Sequence, residues 1–184
     1  MPIHISVKIE GDQQVLRSFT RFAEDVQDLT QPFNEIANDF LEIERKQFDS
    51  EGGYGSGGWA NLSNTKTSPS TGKKIVGYAD WKAAHFPGAS ILVRWGNLRD
   101  SLTQFGDTYH IREVEPMKMV LGTDLPYAKY HQTGTSKMPK RRPIDLTEDD
   151  KTRWVKIIQR FLVERAKLAG FTNASGYALY KGGM

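Results

Sequence analysis

Along residues 3–9, IHISVKI, the apolar Ile3, Ile5, Val7 and Ile9 alternate with His4, Ser6 and Lys8, the period of two that marks a strand with one buried face. The period then changes. Asp12 stands where it can cap a helix in which Val15, Phe19, Phe22, Val26 and Leu29 recur at spacings of four and three, forming one apolar stripe. Pro32 restarts the pattern, since proline is tolerated in a first helical turn but not further in. From there Phe33, Ile36, Phe40, Ile43 and Gln47 keep helical spacing, while Glu35, Asp39, Glu42 and Arg45 fall on other sides. The pattern predicts two consecutive helices, or one bent helix.

Residues 51–74, EGGYGSGGWANLSNTKTSPSTGKK, have no apolar period and are rich in Gly, Ser, Thr and Asn, so they read as a long flexible loop. A short helix is predicted at Tyr78–His85, ending before Pro87 and Gly88. In ILVRWGNLRDSL, residues 91–102, the positions Leu92, Trp95, Leu98 and Leu102 fit a helix, but Gly96 interrupts it. Thr108–Val114 and Met117–Thr123 read as an antiparallel hairpin turning at Glu115–Pro116. Thr147 followed by Glu148, Asp149 and Asp150 starts a final helix: the hydroxyl caps free amides, and the acids favour the positive end of the helix dipole. Its buried side is Trp154, Ile157, Ile158, Phe161, Leu162 and Leu168, and Gly170 stops it. The fold class is therefore α+β: helices on a small, mainly antiparallel sheet. Residues 1–170 form a single domain, and 171–184 a C-terminal arm.

Composition alters this picture little. The chain has 184 residues, 38% hydrophobic and 26% charged, which suits one soluble core and excludes wholesale disorder. No apolar run approaches the roughly 20 residues that span a bilayer, and MPIHISVKIE lacks a signal-peptide layout, so a cytoplasmic product without membrane contact is expected. Cysteine is absent, which excludes disulfides, thiolate metal sites and cysteine nucleophiles. A formal charge of +3 is mild and leaves the partner open.

Candidate chemistry is sparse. His4, His85, His110 and His131 are scattered, without the spacing of a metal-ligand pair, so no metal or other cofactor is expected. His131, in YAKYHQTG, has the chemistry of a general base, yet no Ser or carboxylate is assignable to it. A histidine hydrogen-bonded at a strand end is the simpler reading. GGYGSGG at 52–58 follows a helix rather than a strand, and SPSTGKK lacks the leading glycine of a phosphate loop and its closing Ser or Thr, so neither reads as a nucleotide site. KMPKRRP places Lys137, Lys140, Arg141 and Arg142 on a proline-stiffened strip. Three readings stay open for it: a solvated charge run, a contact with nucleic-acid phosphates, or a contact with the acids of a neighbouring subunit such as Glu148, Asp149 and Asp150.

Leu98 in WGNLRDSL, the hairpin, GTDLPYAKYHQTG, MPKRRPIDLT and the closing helix come in an order that resembles the virion morphogenesis proteins of contractile-tailed phages such as Mu. These are the tail-completion proteins, related to head–tail joining and tail-terminator proteins. The likeness rests on Tyr127, Ala128, His131, Gly134, Pro139, Arg141 or Arg142, and Pro143, and covers about residues 91–165. It implies a structural protein without enzyme activity that assembles as a ring, a hexamer, at the head-proximal end of the tail. Its partners would be other copies of itself, the tail tube and the connector or neck, with phage DNA in passing contact. It also implies a subunit or partner interface built from Tyr127, Tyr130, His131, Gly134, Lys137, Lys140, Arg141 and Arg142.

Overall fold

A computed structural model describes residues 12–55 and 57–171. The alternating stretch at 3–9 and the arm beyond Phe171 lie outside the described residues. The elements in chain order are α1 (Asp12–Asp25), α2 (Thr30–Asp49), β1 (Lys66–Thr67), β2 (Lys74–Ile75), α3 (Tyr78–His85), α4 (Asn97–Thr103), β3 (His110–Glu115), β4 (Lys118–Thr123), α5 (Ala128–Thr133) and α6 (Glu148–Leu168). The α+β class stands, with the strands in two separate antiparallel pairs, β1 with β2 and β3 with β4, rather than in one sheet.

The central element is α2, which touches α4, α6, β3 and β4. All five positions of its predicted stripe, Phe33, Ile36, Phe40, Ile43 and Gln47, are buried. At its start Pro32 falls in the first turn, and the Asp28 carboxylate accepts the Thr30 amide at 2.9 Å, so a side chain outside the helix satisfies one of the amides left free there. Phe40, Leu41 and Phe48 pack with Trp59, Leu98, Leu102, Leu125 and Ala128 in the main core; Phe33 and Ile36 pack with Ile157 in a second. Trp154 lies against both cores and joins them. Each large side chain removed from water here contributes about 1.5–3 kcal/mol.

The hairpin runs in register from His110 opposite Thr123 to Glu115 opposite Lys118. Val114 and Met119 cover the second core and Leu121 the first. Within ILVRWGNLRDSL the helix begins only at Asn97, because Gly96 takes a left-handed φ of 92° and breaks any helix running into it. On α6, Thr147 and Asp150 form a reciprocal capping box. Arg153 then reaches back to Asp39 on α2 (Nη2 to Oδ2, 2.8 Å), and Trp154 Nε1 donates to the same oxygen at 2.6 Å.

Two expectations change. The stripe on α1 is largely exposed: Val15 and Phe19 are exposed and Phe22 is half-buried, and among the described elements α1 makes its main contact with α6. Its Phe19 and Phe22 rings meet Phe171 edge-on at 5.0 and 6.1 Å. Nor is the glycine-rich segment uniform. Trp59 is buried in the main core, and a Cβ on Gly52 would come within 2.3 Å of its ring, so glycine is required there by close approach as well as by its φ of 85°. The rest of the segment carries the short β1–β2 pair.

Helical spacing did not single out Glu44, which faces the interior fully buried with neither carboxylate oxygen hydrogen-bonded. Burial, with the nearby charges of Asp145 and Asp150, raises its pKa well above the usual carboxylate value of 4.5. The sign follows from linkage: Glu44 is harmless below the unfolded pKa and destabilises increasingly as pH rises above it, where the unfolded chain ionises and the folded one resists. Glu44→Gln is therefore expected to raise the thermal midpoint at pH 8, with each ~1 kcal/mol worth about 2–4 °C in a chain of this size. The gain should vanish near pH 4 in paired melting curves; an equal gain at both pH values would contradict a titrating Glu44.

Candidate functional site

The stretch YAKYHQTG folds as a helix, not as a strand end. The Thr123 hydroxyl accepts the Leu125 amide and turns the chain out of β4, and Pro126 supplies no backbone donor to continue a sheet. Leu125 and Ala128 then drop into the main core, which leaves Tyr127 and Tyr130 facing outward at 40% and 48% exposure. His131 sits half-buried on the same helix, with the Tyr127 ring edge-on at 6.1 Å. Among the described residues the His131 ring lacks the hydrogen bond expected of a corner histidine: Nδ1 is buried without a partner there, and it is the backbone carbonyl of His131 that accepts the Arg141 amide, at 2.9 Å. Gly134 ends the helix at φ 75°, and a Cβ there would lie 3.0 Å from the Lys140 nitrogen, so conformation and space both call for glycine.

The strip that follows is not a row of equivalent cations. Lys137 and Lys140 are exposed and have no partner among the described residues. Arg141 is buried: Nε donates to the Ala60 carbonyl at 2.6 Å and Nη2 to that of Asn61 at 2.8 Å. Arg142 pairs with Asp145 at 3.2 Å, while its carbonyl accepts from Gln47 and Trp59. Of the acids suggested as their counterparts, Glu148 and Asp149 are exposed, but Asp150 is fully buried and bonded to Thr147, Tyr54 and Arg153. Gln132, which sequence reasoning passed over, fastens the strip: its amide donates to the Ile144 carbonyl at 2.7 Å and accepts the Ile144 amide at 3.2 Å. No periodicity marks such a residue.

Between residues 61–63, 92–98, α5 and 137–141 lies a groove of about 760 Å³, within the roughly 300–1,000 Å³ typical of ligand sites. His131, Lys137 and Arg141 line it, and it adds Lys82, Leu92, Arg94 and Trp95, which the sequence did not point to. Leu92 adopts a left-handed φ of 62°, a strain of about 1–3 kcal/mol for a residue with a side chain. Arg94 lies over the rings of Trp81, Phe86 and Trp95 at 5.1, 5.2 and 5.5 Å, without an acceptor among the described residues. Trp95 is 71% exposed. Lys82 is buried and donates to the Ser90 carbonyl.

The charged side chains that line the groove are cationic, and no Asp or Glu lines it. Burial, and secondarily the charge of Arg141, lowers the pKa of His131 from 6.5; burial likewise lowers that of Lys82. No hydroxyl or carboxylate is hydrogen-bonded to the His131 ring among the described residues. In the same residues no group of three or more His, Cys, Asp or Glu side chains is placed to hold a metal ion, and no helix is long and apolar enough to cross a membrane. No family model, curated protein or solved structure matches the chain.

Two outcomes follow from this geometry. Arg141→Lys loses the fork that holds Ala60 and Asn61, so chemical denaturation should show a loss of about 2–3 kcal/mol, and limited proteolysis faster cleavage near residue 61. A ring-proton NMR titration of His131 should give a midpoint below 6.5. Because that pKa is depressed, the associated stability is present above 6.5 and lost as pH falls through the folded midpoint. A midpoint at or above 6.5 would place the ring in water rather than against Arg141.

Proposed function

We propose that the chain is a structural virion protein of a tailed phage: a tail-completion, terminator or head–tail joining component, assembled in the host cytoplasm and acting as a ring, a hexamer, at the head-proximal end of the tail. One observation carries the reading. The residues on which the resemblance rests form one continuous structural unit. Ala128 anchors α5 in the core, His131 and Arg141 join through their backbones, Gly134 makes the required turn, and buried Pro143 leads into the capped start of α6. Tyr127, Tyr130, Lys137 and Lys140 are left outward on this unit, where a ring-former needs a surface for a neighbour. A head-to-tail contact that closes by rotation generates such a ring.

The rival reading, a nucleic-acid module on residues 137–142, has less support. Backbone carbonyls already engage Arg141, and Asp145 engages Arg142. Two free lysines provide a short track for phosphates, whereas affinity for a duplex grows with the number of phosphates neutralised.

Electron microscopy of tails made without this protein separates the roles. Overlong tubes are expected for a terminator, and tails of normal length detached from heads for a joining protein; tails and heads that assemble normally would refute both. Native mass spectrometry of the assembled form should find a closed oligomer, and a monomer in assembled particles would refute the ring. Filter binding should find only weak, salt-sensitive retention of DNA.

A further inference from the structure

The groove beside α5 shares Tyr127 and Lys137 with the surface the ring reading uses, but the rest of its lining lies outside that reading. Its floor and walls include Leu62, Leu92, Val93, Leu98 and Met138, and its charged lining is entirely cationic. Arg94 and Lys137 lack acceptors among the described residues, whereas Lys82 and Arg141 already donate to backbone carbonyls. The Arg94 guanidinium lies 5.1, 5.2 and 5.5 Å from three ring centroids and has no acceptor among the described residues, so its N–H donors are available to an acceptor from outside. The ligand that matches such a lining has an apolar side chain to fill the groove and a carboxylate to meet Arg94 and Lys137.

The rim indicates how large that ligand is. Trp95 at 71%, Tyr78 at 43% and Tyr127 at 40% exposure line the groove and remain in water, a surface that a small molecule held inside would leave wet. Tyr, Trp and Arg are the residues that carry most of the binding energy at protein interfaces. A nucleic-acid strand would also stack on Trp95, but it needs a line of free cations for its phosphates. Among the described residues the cations without acceptors in the groove lining are two, Arg94 and Lys137, too few for such a line. Leu92 and Gly96 fix the 92–96 loop in left-handed turns, so this wall is preformed, which lowers the ordering cost of binding.

We infer that this groove is a docking site for an acidic peptide segment of a partner protein, in which a large apolar or aromatic side chain enters between Leu92 and Met138 while flanking carboxylates pair with Arg94 and Lys137. This does not rest on the chain being a ring protein. The same groove serves a monomer or an oligomer, and its test is separate from that of tail assembly.

The test uses the full chain and a blocked peptide of Glu and Asp around one Phe, followed by nitrogen-edited NMR on the Trp indole N–H signals. Controls are the same peptide with Lys in place of the acids, and a short oligothymidylate. Saturable movement of the Trp95 signal with the acidic peptide is expected, with about tenfold weaker binding in Arg94→Glu and separately in Lys137→Glu. Lys137 is exposed and unpartnered, so its variant keeps the fold even where Arg94→Glu disturbs the aromatic stack. Equal response to the Lys peptide, tighter binding of the oligothymidylate, or no saturable response at Trp95 would each overturn the inference. So would an oligomer that dissociates on Arg94→Glu without peptide, because the groove would then belong to a second copy of the chain.

Discussion

The carbonyl oxygen of Arg142 accepts two buried hydrogen bonds, from Gln47 Nε2 at 3.0 Å and from Trp59 Nε1 at 2.8 Å. Three distant pieces of chain are locked together at that atom: the end of α2, the glycine-rich segment and the strip before α6. Gln47 is itself used on both sides, since its Oε1 accepts the Gly55 amide at 3.0 Å. Both donors are buried, so losing the shared acceptor would leave two polar groups unsatisfied, which costs more than the net gain of making the bonds. With the Arg142 carbonyl turned inward, the preceding residue is placed beneath the 60–61 segment. Arg141 therefore closes one wall of the groove, and Arg142 is directed to Asp145.

A second polar seam runs beside it. Burial alone would raise the pKa of Asp150, but hydrogen bonds from Thr147, Tyr54 and Arg153 outweigh it and bring the value to about 2. Arg153, held first by Asp39, has its own pKa raised. Glu44, buried with Asp145 and Asp150 nearby and without a donor, goes the other way. Two carboxyls in one region are thus pushed apart by their hydrogen bonds rather than by their depth, Asp150 ionised within its network and Glu44 holding its proton. The seam fastens α6 to α2 where the apolar contacts of Ile157 and Phe161 begin, and so fixes the angle at which the strip enters α6.

Elements with a long period were legible from sequence. The spacing of Phe33, Ile36, Phe40, Ile43 and Gln47 gave α2, Thr147 with its acids gave the start of α6, and Glu115–Pro116 gave the hairpin turn to within a residue. α5 was not legible, because a six-residue helix is too short to display a period and its aromatic residues suit a strand equally well. The apolar run on α1 has the spacing of a buried stripe, yet Val15 and Phe19 are exposed; periodicity records that a face is apolar, not that something covers it. Of the groove, only the α5 and 137–141 side was anticipated. Lys82, Arg94 and Trp95 reach it from segments far away in sequence, and the pattern around Trp95 is ambiguous in the sequence, helical spacing interrupted by Gly96.

The basic strip illustrates why a charge run is a poor guide to a charged surface. Lys137, Lys140, Arg141 and Arg142 contribute equally to the formal +3, but they differ in what they can offer a partner, and backbone geometry decides the difference. Arg141 and Arg142 are neighbours pointing opposite ways, so one is drawn under the 60–61 carbonyls and the other toward Asp145. A further cation comes from elsewhere: Arg94, beside three aromatic rings and without an acceptor among the described residues, lines with Lys137 a groove that no carboxylate lines. Meanwhile Asp39, Asp145 and Asp150 are engaged in the α2–α6 region, and Glu44 keeps its proton above the usual range, so none of these four acids reaches the groove. With only cations among its charged lining residues, the groove favours an anionic partner through local arrangement rather than through composition.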